Sequence, residues 1–327
     1  MTEPHQNPWW AFGPHIQTIL PAFMQVPLPA YYRERWQTPD DDFVDVDWVN
    51  FDRIHLPNQR LVVMFHGLEG SSRSTYCKTM MNECVAQNMS GVVIHWRSCS
   101  GEMNRQPCFY HSGFSAEIDW ILTKIARQYP HTRRHAVGVS LGGNALLKWL
   151  GEQGSTAERM IQSAAAICSP HSLKAGSVAL ASGFNQMVYM RNFLRTLKKK
   201  ALQKKIDFPD APINTQLVRA ARNFNELDDA VTAPIHGYLN AHDYWTRASS
   251  KQFLSAIETR TLVLNSLNDP FVPAQSLASA DEVSAKVTLK YTHKGGHVGF
   301  MHGKTRTRLD WLPQHVLSFL TATERNY

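Results

Sequence analysis

At 327 residues, 43% hydrophobic and 19% charged, the chain has the size and mix of a globular protein of one large domain with insertions, or of two smaller domains. No run approaches the apolar length of a transmembrane helix, and the opening MTEPHQNPWW lacks the basic and apolar regions of a secretory signal. The net charge of +7 would suit nucleic acid or a membrane surface, but Arg191–Lys205 alone carries seven Lys and Arg and no Asp or Glu, so the rest of the chain sums to zero.

Residues 1–40 are rich in Pro, Trp and Tyr without a clean period; Trp9, Trp10, Phe12, Ile16, Ile19, Leu20 and Phe23 suit a short helical arm packed on the body. Phe43–Phe51 alternates apolar and polar residues, which predicts an antiparallel edge strand. Leu61–Phe65 is a continuous apolar run and predicts a buried strand. A turn at His66–Gly70 and a helix over Thr75–Gln87 follow, then a strand at Gly91–Trp96. The stripe Phe114, Ile118, Ile121, Leu122 and Ile125 predicts a helix within His111–Tyr129. Further strands are expected at His135–Val139, Ile161–Cys168, Thr261–Leu264 and Val287–Tyr291, with a closing helix over residues 307–321. Strands alternating with helices predict a mostly parallel α/β sheet. Between Ser169 and about Arg260 the alternation stops and helical pattern takes over for too many residues to be a plain loop, which predicts an inserted helical cap. The expected organisation is therefore an arm (1–40), a core (41–168 and 261–327) and a cap (169–260).

Five cysteines, Cys77, Cys84, Cys99, Cys108 and Cys168, form no C-x-x-C pair and no zinc spacing; free thiols in a reducing cytoplasm are expected.

The chemistry concentrates at Gly138-Val139-Ser140-Leu141-Gly142, a G-x-S-x-G turn between a strand and a helix. A Cβ at either flanking glycine would clash in so tight a turn, and the strain lifts the Ser140 hydroxyl clear of the sheet. A serine needs a base, and the base needs an orienting group. In open α/β sheets such groups sit past the C-terminal ends of strands. His297, between glycines after the last strand, is the candidate base, and Asp269, just past Thr261–Ser266 and before Pro270, the candidate acid. Alternatives are His293 as the base, Asp243 or Glu282 as the acid, and Asp269 as a simple cap for a helix starting at Ala274. A zinc pair of His293 and His297 would need a helix that Lys294-Gly295-Gly296 opposes, and the phosphate-loop spacing before Gly303-Lys304-Thr305 fails because residue 298 is Val. No metal or organic cofactor is expected. Two N–H donors should receive the developing oxyanion: Leu141, just after the nucleophile, and Leu68 in the turn after Leu61–Phe65. Glu69 beside that hole should point away.

With these residues in place the chain closely resembles the YheT-type branch of the α/β-hydrolase superfamily, bacterial relatives of the eukaryotic α/β-hydrolase-domain lipases and esterases. The matching stretches are PHIQTILP at 14–21, HGLEGSSRSTY at 66–76, the loop after GVVIHWR at 91–97, GVSLGGNALLKWLGE at 138–152, NDPFVP at 268–273 and GGHVGF at 295–300. The resemblance implies the α/β-hydrolase fold, with the order Ser140, Asp269, His297 as a catalytic triad and hydrolysis of carboxylic esters; the expected cap and its apolar residues suggest a short or medium acyl chain or an acylglycerol as substrate. A thioesterase or acyltransferase would use the same groups, and a non-catalytic membrane- or partner-binding protein that kept the fold would not require all three. On a helix running through Arg191–Lys205, the preceding Met190 shares one stripe with Leu194, Leu197 and Ala201. Either this is a solvated helix packed by that stripe, or its basic face touches anionic lipid or an acidic partner near the pocket mouth; Phe193 is its one aromatic residue, so nucleic acid is not an expected partner.

Overall fold

The uninterrupted apolar runs become the middle of an eight-stranded sheet because both of its faces are covered. The structure, a computed structural model, describes residues 4–322; the outer ends of the expected arm (1–3) and core (323–327) lie outside them. The strands are β1 (Tyr32–Gln37), β2 (Phe43–Val49), β3 (Arg60–Phe65), β4 (Ser90–Ile94), β5 (Arg133–Val139), β6 (Ser163–Ile167), β7 (Thr261–Ser266) and β8 (Val287–Thr292), in the spatial order β1-β2-β4-β3-β5-β6-β7-β8. β1 and β2 pair antiparallel, β2 joins β4 antiparallel, and every later pairing is parallel. Side chains alternate across a strand. Leu61, Val63 and Phe65 of β3 therefore pack on one face with helices α3 (Ser115–Gln128) and α4 (Leu141–Gln153). Val62 and Met64 pack on the other with α2 (Thr75–Ala86) and the C-terminal helix Trp311–Thr321.

Two expectations change at the sheet's first edge. Phe43–Val49 is not the edge strand; β1 lies outside it, drawn from residues assigned by pattern to the arm. The charged sequence of β1 hides its role. Arg33 stands opposite Asp47 and Arg35 opposite Asp45, and each guanidinium donates two hydrogen bonds to its carboxylate. Those pairs let β2 bury both aspartates, so its alternation marks cross-strand ion pairing instead of a solvent-facing side. The arm ahead of β1 carries α1 (Gly13–Phe23).

Between β6 and β7 the described elements are all helical, from Leu173 to Ala256. They share an apolar cluster in which Leu180, Met190, Leu194, Ala201, Leu227 and Val231 are buried. The stripe of the Arg191–Asp207 helix faces into this cluster, with Leu197 packed against it, in agreement with the packed-helix reading of that segment.

Candidate active site

Ser140 occupies the turn from β5 into α4 with φ 53° and ψ −117°, a conformation rare for a side-chain-bearing residue. The two glycines make room for it. A Cβ on Gly142 would lie 2.4 Å from the Phe65 carbonyl oxygen, and one on Gly138 2.5 Å from the Gly142 oxygen. The hydroxyl therefore stands at the C-terminal edge of the sheet, at the end of β5 between β3 and β6.

The loops after β7 and β8 bring the other two candidates to it. His297 Nε2 lies 3.0 Å from Ser140 Oγ, and His297 Nδ1 lies 2.7 Å from Asp269 Oδ2. The Asp269 side chain is inaccessible to solvent, and its Oδ1 accepts the N–H groups of Phe271 (2.8 Å) and Val272 (3.3 Å). The short helical turn Ala274–Ser276 begins later, so Asp269 serves the loop and the imidazole. The alternatives lie elsewhere. His293 is exposed, Asp243 pairs with Arg247 and accepts the Leu239 N–H, and Glu282 closes a capping box with Ser279 and pairs with Lys251.

The turn after β3 leaves one donor free. Gly67 N–H donates to the Tyr76 hydroxyl (3.0 Å), Glu69 N–H to the Tyr110 hydroxyl (2.8 Å) and Gly70 N–H to the Gly67 carbonyl (3.0 Å). Among the described residues nothing accepts the N–H of Leu68 or of Leu141, and both residues line the same cavity as Ser140. His66 fixes the turn. Its Nδ1 donates to the Gly67 carbonyl and its Nε2 accepts the Trp96 N–H, a neutral imidazole that burial pushes down to about 3. Glu69 is held by Lys200 at 2.6 Å and by the Tyr110 hydroxyl at 2.9 Å. Its charge beside the free donors is thus countered by a lysine of the Arg191–Asp207 helix.

Two further residues grip the imidazole loop from the arm. The Gln17 Oε1 accepts from the Gly295 N–H (2.9 Å) and from Asn268 Nδ2 (2.9 Å), while its Nε2 donates to the Ala11 carbonyl (2.8 Å). Thr18 Oγ1 accepts the N–H of His297 itself (2.9 Å). The approach is close enough that a Cβ on Gly299 would fall 1.8 Å from the Gln17 carbonyl oxygen. Gln17 and Thr18 lie inside PHIQTILP, but their partners are about 280 residues away and no local pattern gives them this role.

Ser140 and His297 open onto a cavity of about 170 Å³ whose remaining wall is mostly apolar, with Leu173, Leu180, Phe193, Leu197, Leu227 and Val231 from the helical segment. Phe271 lies against the His297 ring, centroids 4.3 Å apart. Cys168 brings its sulfur within 4.8 Å of ligand atoms of Asp269 and His297. Burial holds this thiol far above the usual range, so it stays protonated, and its sulfur accepts the Val298 N–H. A metal held by these three side chains would have to break the imidazole–carboxylate hydrogen bond.

A family model described as the alpha/beta hydrolase fold matches residues 60–304. The putative esterase YheT of Escherichia coli is 36% identical over 310 residues, spanning 94% of this chain and 90% of its own. Human phospholipase ABHD3 is 26% identical, spanning 93% of this chain and 75% of its own. Among solved structures, the Pyrococcus furiosus esterase Pf2001 superposes with a TM-score of 0.55 at 13% identity, covering 98% of this chain and 99% of that one, a likeness of fold. By the extent of the family match and the identity to YheT, the chain belongs to the α/β-hydrolase fold family, in its YheT branch.

Proposed function

We propose that this enzyme hydrolyses carboxylic esters through Ser140, His297 and Asp269. The observation that carries the reading is the continuous hydrogen-bonded line from Asp269 to His297 to Ser140 at an apolar cavity, with two free N–H donors on the same wall. Relatives named esterase, phospholipase and monoacylglycerol lipase support the ester as the substrate class.

His297 Nε2 takes the Ser140 proton as Oγ attacks the ester carbonyl. The N–H groups of Leu68 and Leu141 receive the negative charge on the carbonyl oxygen. Asp269 keeps the Nδ1 proton in place and stabilises the imidazolium. The imidazolium returns its proton to the departing alcohol, leaving an acyl-enzyme, and a water deprotonated by His297 releases the acid. The helical segment 169–260 acts as a cap that supplies the acyl-binding wall. The thiols of Cys77, Cys84, Cys99, Cys108 and Cys168 are all free, which suits the reducing cytoplasm. No helix among the described residues is long and apolar enough to cross a membrane. Arg191, Arg195 and Lys199 stay exposed on the cap and support contact with anionic lipid, whereas Lys200 and Lys204 turn inward, Lys204 to the Asn104 and Gln106 carbonyls.

Hydrolysis of p-nitrophenyl esters from acetate to dodecanoate tests the reading. Turnover is expected, with an optimum at a short or medium acyl chain set by the size of the cavity; no turnover of any member would overturn it.

Gln17 is a positioning residue under the same reading. Gln17→Ala leaves the Gly295 N–H and the Asn268 amide without their acceptor and loosens the loop that aims His297. The expected outcome in steady-state kinetics on p-nitrophenyl butyrate is a fall in kcat of roughly 10- to 100-fold with KM little changed.

A further inference from the structure

Helix α1 is amphipathic in the reverse sense for a packed arm. Its buried residues are Gln17 and Pro21, while Ile16, Leu20 and Phe23, spaced to share one face, are exposed. Just ahead of it Phe12 is 69% exposed and Trp9 75%; Phe23 is 78% exposed. Polar groups on the inner side explain the orientation, because Gln17 and Thr18 are committed to the loop that carries His297.

The patch does not end with the arm. His15 of α1 lies against Phe184, ring centroids 4.3 Å apart, and 3.2 Å from the Tyr189 hydroxyl. From Phe184 the exposed apolar surface continues through Met187 and Val188. The same helical run then continues as Arg191–Asp207, where Arg191, Arg195 and Lys199 are exposed. On its inner side that helix lends Phe193 and Leu197 to the cavity wall. No acidic residue occurs between residues 4 and 33. An apolar ridge of aromatic and aliphatic side chains, bordered by arginine and lysine and drawn from segments (4–33 and 184–206) that contain no Asp or Glu, matches the interfacial region of an anionic bilayer, where apolar groups enter the acyl boundary and cations meet the headgroups.

We propose that the outer face of the arm, Trp9, Phe12, Ile16, Leu20 and Phe23, together with Phe184 and Met187, seats the enzyme on an anionic lipid surface beside its active-site cavity. The arm enters the lipid, and the arginines of the neighbouring cap helix supply the preference for negative charge. Gln17 and Thr18 join this docking element directly to the His297 loop. The inference stands on exposed side chains and does not depend on which ester is cleaved.

Flotation of the full chain with vesicles tests it, using equimolar phosphatidylcholine–phosphatidylglycerol against pure phosphatidylcholine. Wild type is expected to float with the anionic vesicles and to bind neutral ones much more weakly. Phe12→Ser/Phe23→Ser should lower anionic-vesicle binding about tenfold or more, and Arg191→Glu/Arg195→Glu should erase the preference for anionic lipid. Because these side chains are exposed, both variants should keep wild-type hydrolysis of water-soluble p-nitrophenyl acetate, which separates loss of docking from loss of folding. Equal flotation of wild type and the Phe12/Phe23 variant would overturn the proposal, as would equal binding of wild type to the two vesicle types. So would a lipid-free dimer in sedimentation equilibrium that the Phe12/Phe23 variant abolishes, since a second copy would then own the face.

Discussion

Ser140→Ala is expected to lower kcat for p-nitrophenyl butyrate by about 10⁵-fold or more while leaving the thermal unfolding midpoint near that of wild type. The size follows from the proposed covalent step. Without Oγ no acyl-enzyme forms, and the residual rate comes from the cavity and from the Leu68 and Leu141 N–H groups acting on a water-borne attack. The small effect on stability follows from the turn. Residue 140 sits at φ 53°, a strain set by its Cβ, and alanine has the same Cβ. The lost hydroxyl contacts His297 Nε2, a group beside the open cavity. A variant that lost activity by unfolding would show a shifted midpoint, so calorimetry on the same sample separates the two causes.

Asp269→Asn should cost about 10⁴-fold in kcat, with the fold intact. The loop's own hydrogen bonds determine why. Oδ1 of residue 269 accepts two backbone N–H groups, from Phe271 and Val272, and only an oxygen can do so. An asparagine must therefore keep its oxygen there and turn its NH₂ toward His297 Nδ1. That amide donates where the carboxylate accepted, so the imidazole must place its proton on Nε2, facing Ser140. A protonated Nε2 has no lone pair for the serine proton, and the base is lost by tautomer while its position is unchanged. The pH–rate profile of the residual activity distinguishes this from a disordered loop. A tautomer-locked imidazole needs hydroxide or another route to remove the serine proton, so the residual rate should climb with pH beyond the wild-type plateau.

Local pattern carried seven of the eight strands and brought Ser140, Asp269 and His297 into one candidate site, because each depends on short-range features: an apolar run, a glycine-flanked serine, a polar residue just past a strand. What escaped depends on pairs far apart in the chain. β1 reads as charged surface until Arg33 and Arg35 are seen opposite Asp47 and Asp45. Glu69 looks hostile to an oxyanion until Lys200, 131 residues away, is placed against it. The arm looks like an apolar helix that should bury Ile16 and Leu20, whereas it buries Gln17, whose partners are Gly295 and Asn268. The cavity wall likewise depends on how the helices between β6 and β7 pack, which periodicity within one helix cannot specify.

The most direct measurement is covalent labelling of the native enzyme with a fluorophosphonate, followed by peptide mass spectrometry. A serine activated by His297 beside two free N–H donors should react within minutes to give a single adduct on the peptide containing Ser140, and His297→Ala should suppress it. Absence of labelling, or an adduct on another residue with Ser140 unmodified, would contradict the assignment of Ser140 as the nucleophile.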